Sequence, residues 1–399
     1  MFGLKKIIPS FVILLLLVSK ISYCQNTIAF DFYGDSIQLQ YNQSQYVDFT
    51  DSLSKESICH FENQMNQSNF NTVINQLLNY KEKGQLDDWL YYQLIRKTAQ
   101  YLSPKKENYN RYTLYKWFFL SRSGYDATLK INKNRILFYA QCSENIYEIP
   151  CYTKDGKNYV CLNFHDYTGI DFAKDVFTEV PTNNPETQKA FSYKVTHLPQ
   201  FKPNQYSEKK IEFNYYQADY QFVIKLNPHI QQIFANYPVV DYAYYFNIPI
   251  SKETYSSLLP ALKKTLKRMK QKEGIDYLMR FTRYAFLFES DTKMYGKEKR
   301  LSPEQTLMNT YSDCEDRAAL FFYLVKEIYN VPMLVLSFPK HITIAVKLDK
   351  PVGEPIIYNG VEYSVFEPTP QGEDIEMGKL PNSVAKQPYE IVYSYSPSN

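Results

Sequence analysis

Cys314, His341 and Glu367 are the residues whose types and order best suit covalent chemistry. A cysteine thiolate is a strong nucleophile, an imidazole exchanges its proton near neutral pH, and a carboxylate can hold that imidazole in one orientation. Together they would run acyl transfer. The sulfur attacks an amide carbonyl, and the imidazole takes the thiol proton and later returns it to the leaving amine. The histidine lies 27 residues after the cysteine, and the acid 26 residues beyond the histidine. The chain has five histidines, none in an HExxH or Cys/His zinc pattern, so metal hydrolysis is disfavoured and no metal or cofactor is expected.

The elements around these residues must position them. Tyr311-Ser-Asp-Cys-Glu-Asp-Arg-Ala318 precedes Ala319, Leu320, Phe321, Phe322, Leu324, Val325 and Ile328, apolar nearly all round, which predicts a buried helix. Ser312 or Asp313 can cap it, with Glu315 or Asp316 three residues on as in a capping box. Cys314 then sits in the first turn, where the helix dipole favours a thiolate, while Asp313, Glu315 and Asp316 oppose one unless turned outward or paired with Arg317. A buried structural cysteine is the alternative. His341 opens an alternating strand, His341-Ile-Thr-Ile-Ala-Val-Lys347. After the Asn359-Gly360 turn, Tyr363-Ser-Val-Phe-Glu367 runs back antiparallel, an arrangement that would bring Glu367 beside His341.

Three segments, Ser312-Asp-Cys-Glu-Asp316, Lys340-His-Ile-Thr-Ile344 and Phe366-Glu-Pro-Thr369, occur in an order that resembles the transglutaminase-like superfamily. The resemblance covers residues 251–399. It implies a papain-like α+β core, thiol chemistry on amide acyl groups, and a Cys314–His341–Glu367 triad. Two departures stand out. The family's aspartate is Glu367 here, and both tryptophans, Trp89 and Trp117, lie far upstream. Beyond the Cys314 backbone N–H, only Gln305, Asn309 and Tyr311 offer themselves as oxyanion donors.

Function divides into classes at this point. A secreted thiol enzyme acting on protein or peptide amides leads, with hydrolysis favoured over transamidation because nothing marks a protected amine site. A binding or scaffold protein that keeps the fold without turnover is the alternative, since the Tyr-rich upstream region exceeds what catalysis needs. A calcium-dependent crosslinker is weaker, for no EF-hand-like Asp-rich loop occurs.

The upstream chain reads as α+β. Helices are expected from Phe70 to Gly84, after Asp87, and from Tyr109 to Arg122, then strands at Arg135–Gln141 and around Asp155-Gly156. Residues 25–170 form the first domain in this reading. A β-rich middle module, sandwich-like or a linker domain, covers 171–250 with strands at Lys210–Tyr215, Tyr220–Leu226 and Tyr242–Pro249, and the catalytic domain covers 251–399. A basic helix spans Lys252–Lys272, whose lysines read as a solvated face on a core-packed helix. The first domain also reads as a degenerate copy of the last. A shift of 206 lays Cys314 on Asn108, Arg317 on Arg111, Leu320 on Leu114, Asn330 on Gly124 and His341 on Arg135. With two residues deleted, Asn359-Gly360 meets Asp155-Gly156, Tyr363 meets Tyr159 and Glu367 meets Asn163.

Composition sets the remaining bounds. The chain has 399 residues, 44% hydrophobic and 22% charged, enough for more than one core. Lys5 and Lys6, the apolar run Ile7–Val18 and the polar stretch before Gln25 have the order of a secretory signal peptide over residues 1–24; acylation of Cys24 is disfavoured by Tyr23. Without Lys5, Lys6 and Lys20 the chain carries 42 basic and 42 acidic residues, which argues against nucleic-acid binding. No second run is long enough to span a membrane. Export makes disulfides plausible among Cys59, Cys142, Cys151 and Cys161, leaving Cys314 as the odd one out.

Overall fold

The computed structural model describes residues 25–183, 188–370, 372 and 374–397, so residues 1–24, expected from the sequence to be a signal peptide, and Cys24 among them, lie outside the described residues. The chain is a mixed α and β structure. Its first unit opens with a hairpin, β1 (Gln25–Phe32) and β2 (Asp35–Asn42). Four helices follow: α1 (Lys55–Gln67), α2 (Asn71–Lys83), α3 (Asp88–Leu102) and α4 (Tyr109–Arg122). Each starts or stops on a local signal. Ser54 caps α1 in a reciprocal box with Ser57, Gly84 ends α2, and the Asn108 side chain accepts from Arg111 N–H at the start of α4. Strands β3 (Ala127–Ile131), β4 (Ile136–Gln141), β5 (Ile146–Tyr147), β6 (Cys151–Lys154), β7 (Lys157–Cys161) and β8 (Thr178–Glu179) complete the unit.

The second unit follows a related order with added elements. It opens with the hairpin β9 (Ser207–Tyr215) and β10 (Ala218–Leu226), then α5 (His229–Ile233), β11 (Val239–Val240) and α6 (Tyr242–Tyr245). Next come α7 (Lys252–Leu266), α8 (Gln271–Tyr284), β12 (Leu287–Phe288), α9 (Asp291–Tyr295), α10 (Pro303–Met308) and β13 (Tyr311–Ser312). Helix α11 (Cys314–Tyr329) leads into β14 (Met333–Phe338), β15 (His341–Val346), β16 (Ile356–Tyr358), β17 (Val361–Phe366) and β18 (Glu390–Tyr395).

The two large sheets have the same topology. One runs β6-β7-β4-β3-β8 and the other β16-β17-β15-β14-β18, every neighbouring pair antiparallel. Each outer hairpin turns on a residue pair with positive φ throughout, Asp155-Gly156 (50° and 73°) and Asn359-Gly360 (50° and 74°). That conformation is the two-residue turn whose twist matches the strands, and it needs Asn, Asp or Gly at both places. The opening hairpins also correspond. β1 packs on α3 and β2 on α2, as β9 packs on α8 and β10 on α7. Tyr33 and Tyr216 turn these hairpins at φ 55° and 54°.

One apolar core runs through both units, with α4 and α11 inside it, and each sheet carries a smaller cluster on its other face. The units are joined by the β5–β11 pairing and by the Trp89 indole N–H, which donates to the Ile233 carbonyl at 2.9 Å.

Three expectations are corrected here. Residues 171–250 form no sandwich. Their one long hairpin, β9–β10, belongs to the second unit, and Tyr242–Tyr245 is a helical turn started at Asp241 rather than a strand. The helix expected over Lys252–Lys272 ends at Leu266, and α8 begins at Gln271; Lys252, Lys263 and Lys264 on α7, and Lys267, Arg268 and Lys270 after it, are exposed. The five cysteines among the described residues are unpaired. Cys151 is exposed and stands opposite Val160, Cys161 lies in the cluster on the outer face of its sheet, and Cys142 lies in the main core, so neighbouring strands point their sulfurs apart.

Candidate active site

Helix α11 begins at the nucleophile candidate. Asp313 is its cap: its side chain accepts from Asp316 N–H at 3.3 Å, and Asp316 accepts from Asp313 N–H at 3.4 Å. Its far end closes on Asn330 in the left-handed conformation. Ala318 to Val325 are all buried, which drives the helix against the sheet and leaves Cys314 at the rim, partly exposed.

The Cys314 thiol lies against the start of β15, within reach of the Ile342 backbone N–H. His341, one residue earlier, is separated from β14 by the two-residue turn Pro339-Lys340. Strand β17 runs back beside β15, with Ile344 opposite Phe366, and so delivers Glu367 to His341. Nε2 of His341 and Oε2 of Glu367 are 2.7 Å apart. Glu367 is 1% exposed, and its other oxygen accepts from Thr369 N–H at 2.8 Å. The imidazole is thereby held through Nε2, and Nδ1 remains for the thiol side. Among the described residues no hydrogen bond joins Cys314 to His341; the thiol donates instead to Glu315 Oε2 at 2.9 Å.

The electrostatics run against a resting thiolate. Burial pushes the Cys314 thiol well above its usual range, and Glu315 and Asp313 push it further in the same direction. Arg317 does not pair with the acids. Its guanidinium, itself lowered to about 10 by burial, is taken by backbone carbonyls. Burial also raises Asp313, Asp316 and Asp291, the last to about 7.

Carboxylate oxygens of Asp291, Asp313 and Asp316 lie within 4.8 Å of one another, as do those of Glu298, Asp313 and Glu315. Such donors suit a hard cation in type. Several of these oxygens already accept N–H groups, from Lys299 to Asp291, from Leu301 to Asp316, and between Asp313 and Asp316. The inner set reads as a capping network.

Of the other residues singled out by sequence, Gln305 caps α10 and bonds Gln231, Asn309 bonds Gln231 and Tyr295, and Tyr311 pairs in β13 with Leu287 of β12. Tyr242, within electrostatic range of Cys314, and its stacking partner Arg300 carried no sequence signal. The Tyr242 phenol bonds Ser337, and the Arg300 guanidinium stacks 3.9 Å from the Tyr242 ring. Both lie well outside the three motifs, and only the fold brings them in.

The corresponding place in the first unit is polar and has no cysteine at the helix start; the thiol on the strand there, that of Cys161, donates to Asn163 Oδ1 at 3.4 Å. Matching the helix caps pairs Asp313 with Asn108, so Cys314 falls on Tyr109 and not on Asn108 as expected; the helix-to-strand connections differ by one residue. Matching the inward pair Ile344–Phe366 to Phe138–Leu162 keeps His341 on Arg135 and Glu367 on Asn163. Asn163 is fully buried and donates to the Tyr109 hydroxyl at 2.8 Å and to the Ile136 carbonyl at 2.9 Å. Arg135 points away, to Asp175. No family model, curated protein or solved structure matches the chain.

Proposed function

We propose that this chain is an exported, transglutaminase-like thiol acyl-transfer enzyme acting on protein or peptide amides, with hydrolysis as its main outcome. The observation that carries the reading is the 2.7 Å His341–Glu367 contact, with a helix-start cysteine within reach of the next residue's backbone N–H, that of Ile342. In this reaction the Cys314 sulfur bonds to the amide carbonyl carbon while its proton passes to Nδ1 of His341. Glu367 holds the imidazole through Nε2 and stabilises its cation. The Cys314 backbone N–H, one of the first-turn donors without an intrahelical acceptor, faces the developing oxyanion. The imidazolium then gives its proton to the amine, the C–N bond breaks, and water releases the acyl group. Mass spectrometry of the protein after exposure to peptide amides tests this. An acyl adduct on Cys314 that Cys314→Ala lacks supports the reading, and no adduct from any amide class sinks it.

One observation favours the scaffold alternative: the resting thiol is raised and its proton is held by Glu315. Under that reading Cys314→Ala leaves the physiological role intact.

The first unit fits the role of a degenerate copy kept for binding or positioning. Support comes from the shared strand order, hairpins and capped helix, with Tyr109, Arg135 and Asn163 where a triad would stand.

A further inference from the structure

The strongest unexplained feature lies behind the candidate triad, in two buried arginines. Arg317, three residues after Cys314, is fully buried. Its guanidinium donates to the carbonyls of Thr282 (3.1 Å), Arg283 (2.6 Å), Phe286 (2.8 Å) and Ser312 (3.5 Å). Three of these acceptors belong to the end of α8 and the turn after it, where helix carbonyls have no N–H partners of their own. The fourth belongs to the residue two before Cys314. Arg317 thus fastens the nucleophile's segment to the end of α8.

Arg283 sits on that same helix end and is 2% exposed. It donates through Nε to the Glu367 carbonyl at 3.0 Å, through Nη2 to the same oxygen, and through Nη1 to the Ile375 carbonyl and Asp374, both at 2.8 Å. The backbone of the acid is therefore fastened to the helix end that holds the backbone of the cysteine. The path is continuous: Cys314, Arg317, the Arg283 carbonyl, the Arg283 guanidinium, Glu367.

Two guanidinium groups this deep are costly to desolvate, and hydrocarbon side chains of similar volume would fill the same space. What a hydrocarbon cannot do is satisfy several carbonyls in fixed directions at once, which the planar five-donor fork does. We propose that Arg283 and Arg317 are positioning residues that set the spacing of Cys314, His341 and Glu367 by tying both outer members to the end of α8. The inference rests on the acyl-transfer reading of the site only for its consequence in catalysis; the tie itself can be read without turnover.

The test uses the full chain and its Arg283→Lys, Arg283→Met, Arg317→Lys and Arg317→Met variants. Two readouts are followed beside circular dichroism: the proton NMR signal of the His341 Nε2–H hydrogen bond, and the pH profile of Cys314 alkylation by iodoacetamide. A folded Arg283→Met chain should lose the hydrogen-bonded imidazole signal, and Arg283→Lys should recover part of it. Arg317→Met should shift the alkylation profile and change the rate at pH 8 by about tenfold, with Arg317→Lys in between. If either Met variant fails to fold, its Lys partner decides, because an ammonium cannot reproduce the fork. Wild-type signal and wild-type alkylation profile in folded variants would overturn the proposal. Trapping of an acyl-enzyme on the wild-type chain is scored separately. A missing adduct together with an imidazole signal that Arg283→Met abolishes would remove the enzyme reading and leave the tie standing.

Discussion

The thiol of Cys314 donates to the carboxylate of Glu315, its neighbour in sequence, at 2.9 Å, and has no hydrogen bond to His341. A carboxylate accepting the S–H bond stabilises the protonated form and repels the thiolate, so it raises the thiol in two ways. Glu315→Gln removes the charge and keeps an acceptor. The expected result is faster alkylation of Cys314 at pH 8, by about tenfold for a shift of one unit. An unchanged rate would mean that burial alone sets the thiol.

Glu367→Gln preserves size but replaces the carboxylate that faces Nε2 of His341. The imidazole then loses its charge partner and its fixed tautomer. Turnover of any amide that acylates Cys314 should fall by about 10²–10⁴-fold, mainly in kcat. Nitrogen NMR of His341 should show a tautomer mixture in place of one form.

Asp291 gives a pH prediction with a definite sign. Its carboxyl is pushed up to about 7 in the fold, chiefly by burial, then by Glu298 and Glu315. An unfolded aspartate ionises near pH 3.9. Between about pH 4 and pH 7 the unfolded chain therefore binds fewer protons than the folded one, and stability falls as pH rises through that window. Asp291→Asn keeps the acceptor for Lys299 N–H at 2.7 Å and cannot ionise. It should stabilise the chain at pH 8 by on the order of 1 kcal/mol after solvent screening. The gain should vanish by pH 4 in urea melts.

Asn163→Ala separates the two units' roles. The variant strands the buried Phe138 N–H, which donates to Asn163 at 2.8 Å, while the Ile136 carbonyl keeps the Tyr167 hydroxyl at 2.8 Å. A loss of about 2 kcal/mol is expected from one unsatisfied buried group. Alkylation of Cys314 at 25 °C should not change, and a change would show that the first unit shapes the thiol's surroundings.

Local signals carried much of this architecture. Helices α2, α3 and α4 stand where apolar spacing and Gly84, Pro104 and Gly124 put them. The Asn359-Gly360 turn fixed which strand returns beside His341, and hence which acid could reach it. The parts that escaped depend on long-range packing. The opening hairpin β1–β2 gains its apolar face only against α2 and α3, and Tyr242–Tyr245 has the composition of a strand but follows Asp241 into a helical turn. Arg283 sits in a helix whose pattern gives no hint that its side chain reaches Glu367, 84 residues on. The register of the first unit slipped by one residue at the helix because loop lengths are invisible to a constant shift. The balance at the thiol is set by contacts that the sequence does not place. The dipole argument counts charge at a helix end, whereas burial and Glu315 act at contact distance.

The positions of the two tryptophans have a practical consequence for optical work. Trp117 is enclosed between α4 and β3, bonded to the Ala127 carbonyl at 3.3 Å, and Trp89 sits at the seam, against Tyr193, Tyr237 and the Ile233 carbonyl. Intrinsic indole fluorescence therefore reports on the first unit and on the seam, and is nearly blind to events at Cys314. Unfolding curves followed at indole emission wavelengths would record separation of the seam as a change at Trp89 alone. Ligand titrations at the thiol need a probe placed elsewhere, and Phe288, exposed on β12 beside β13, is the natural position for an introduced tryptophan.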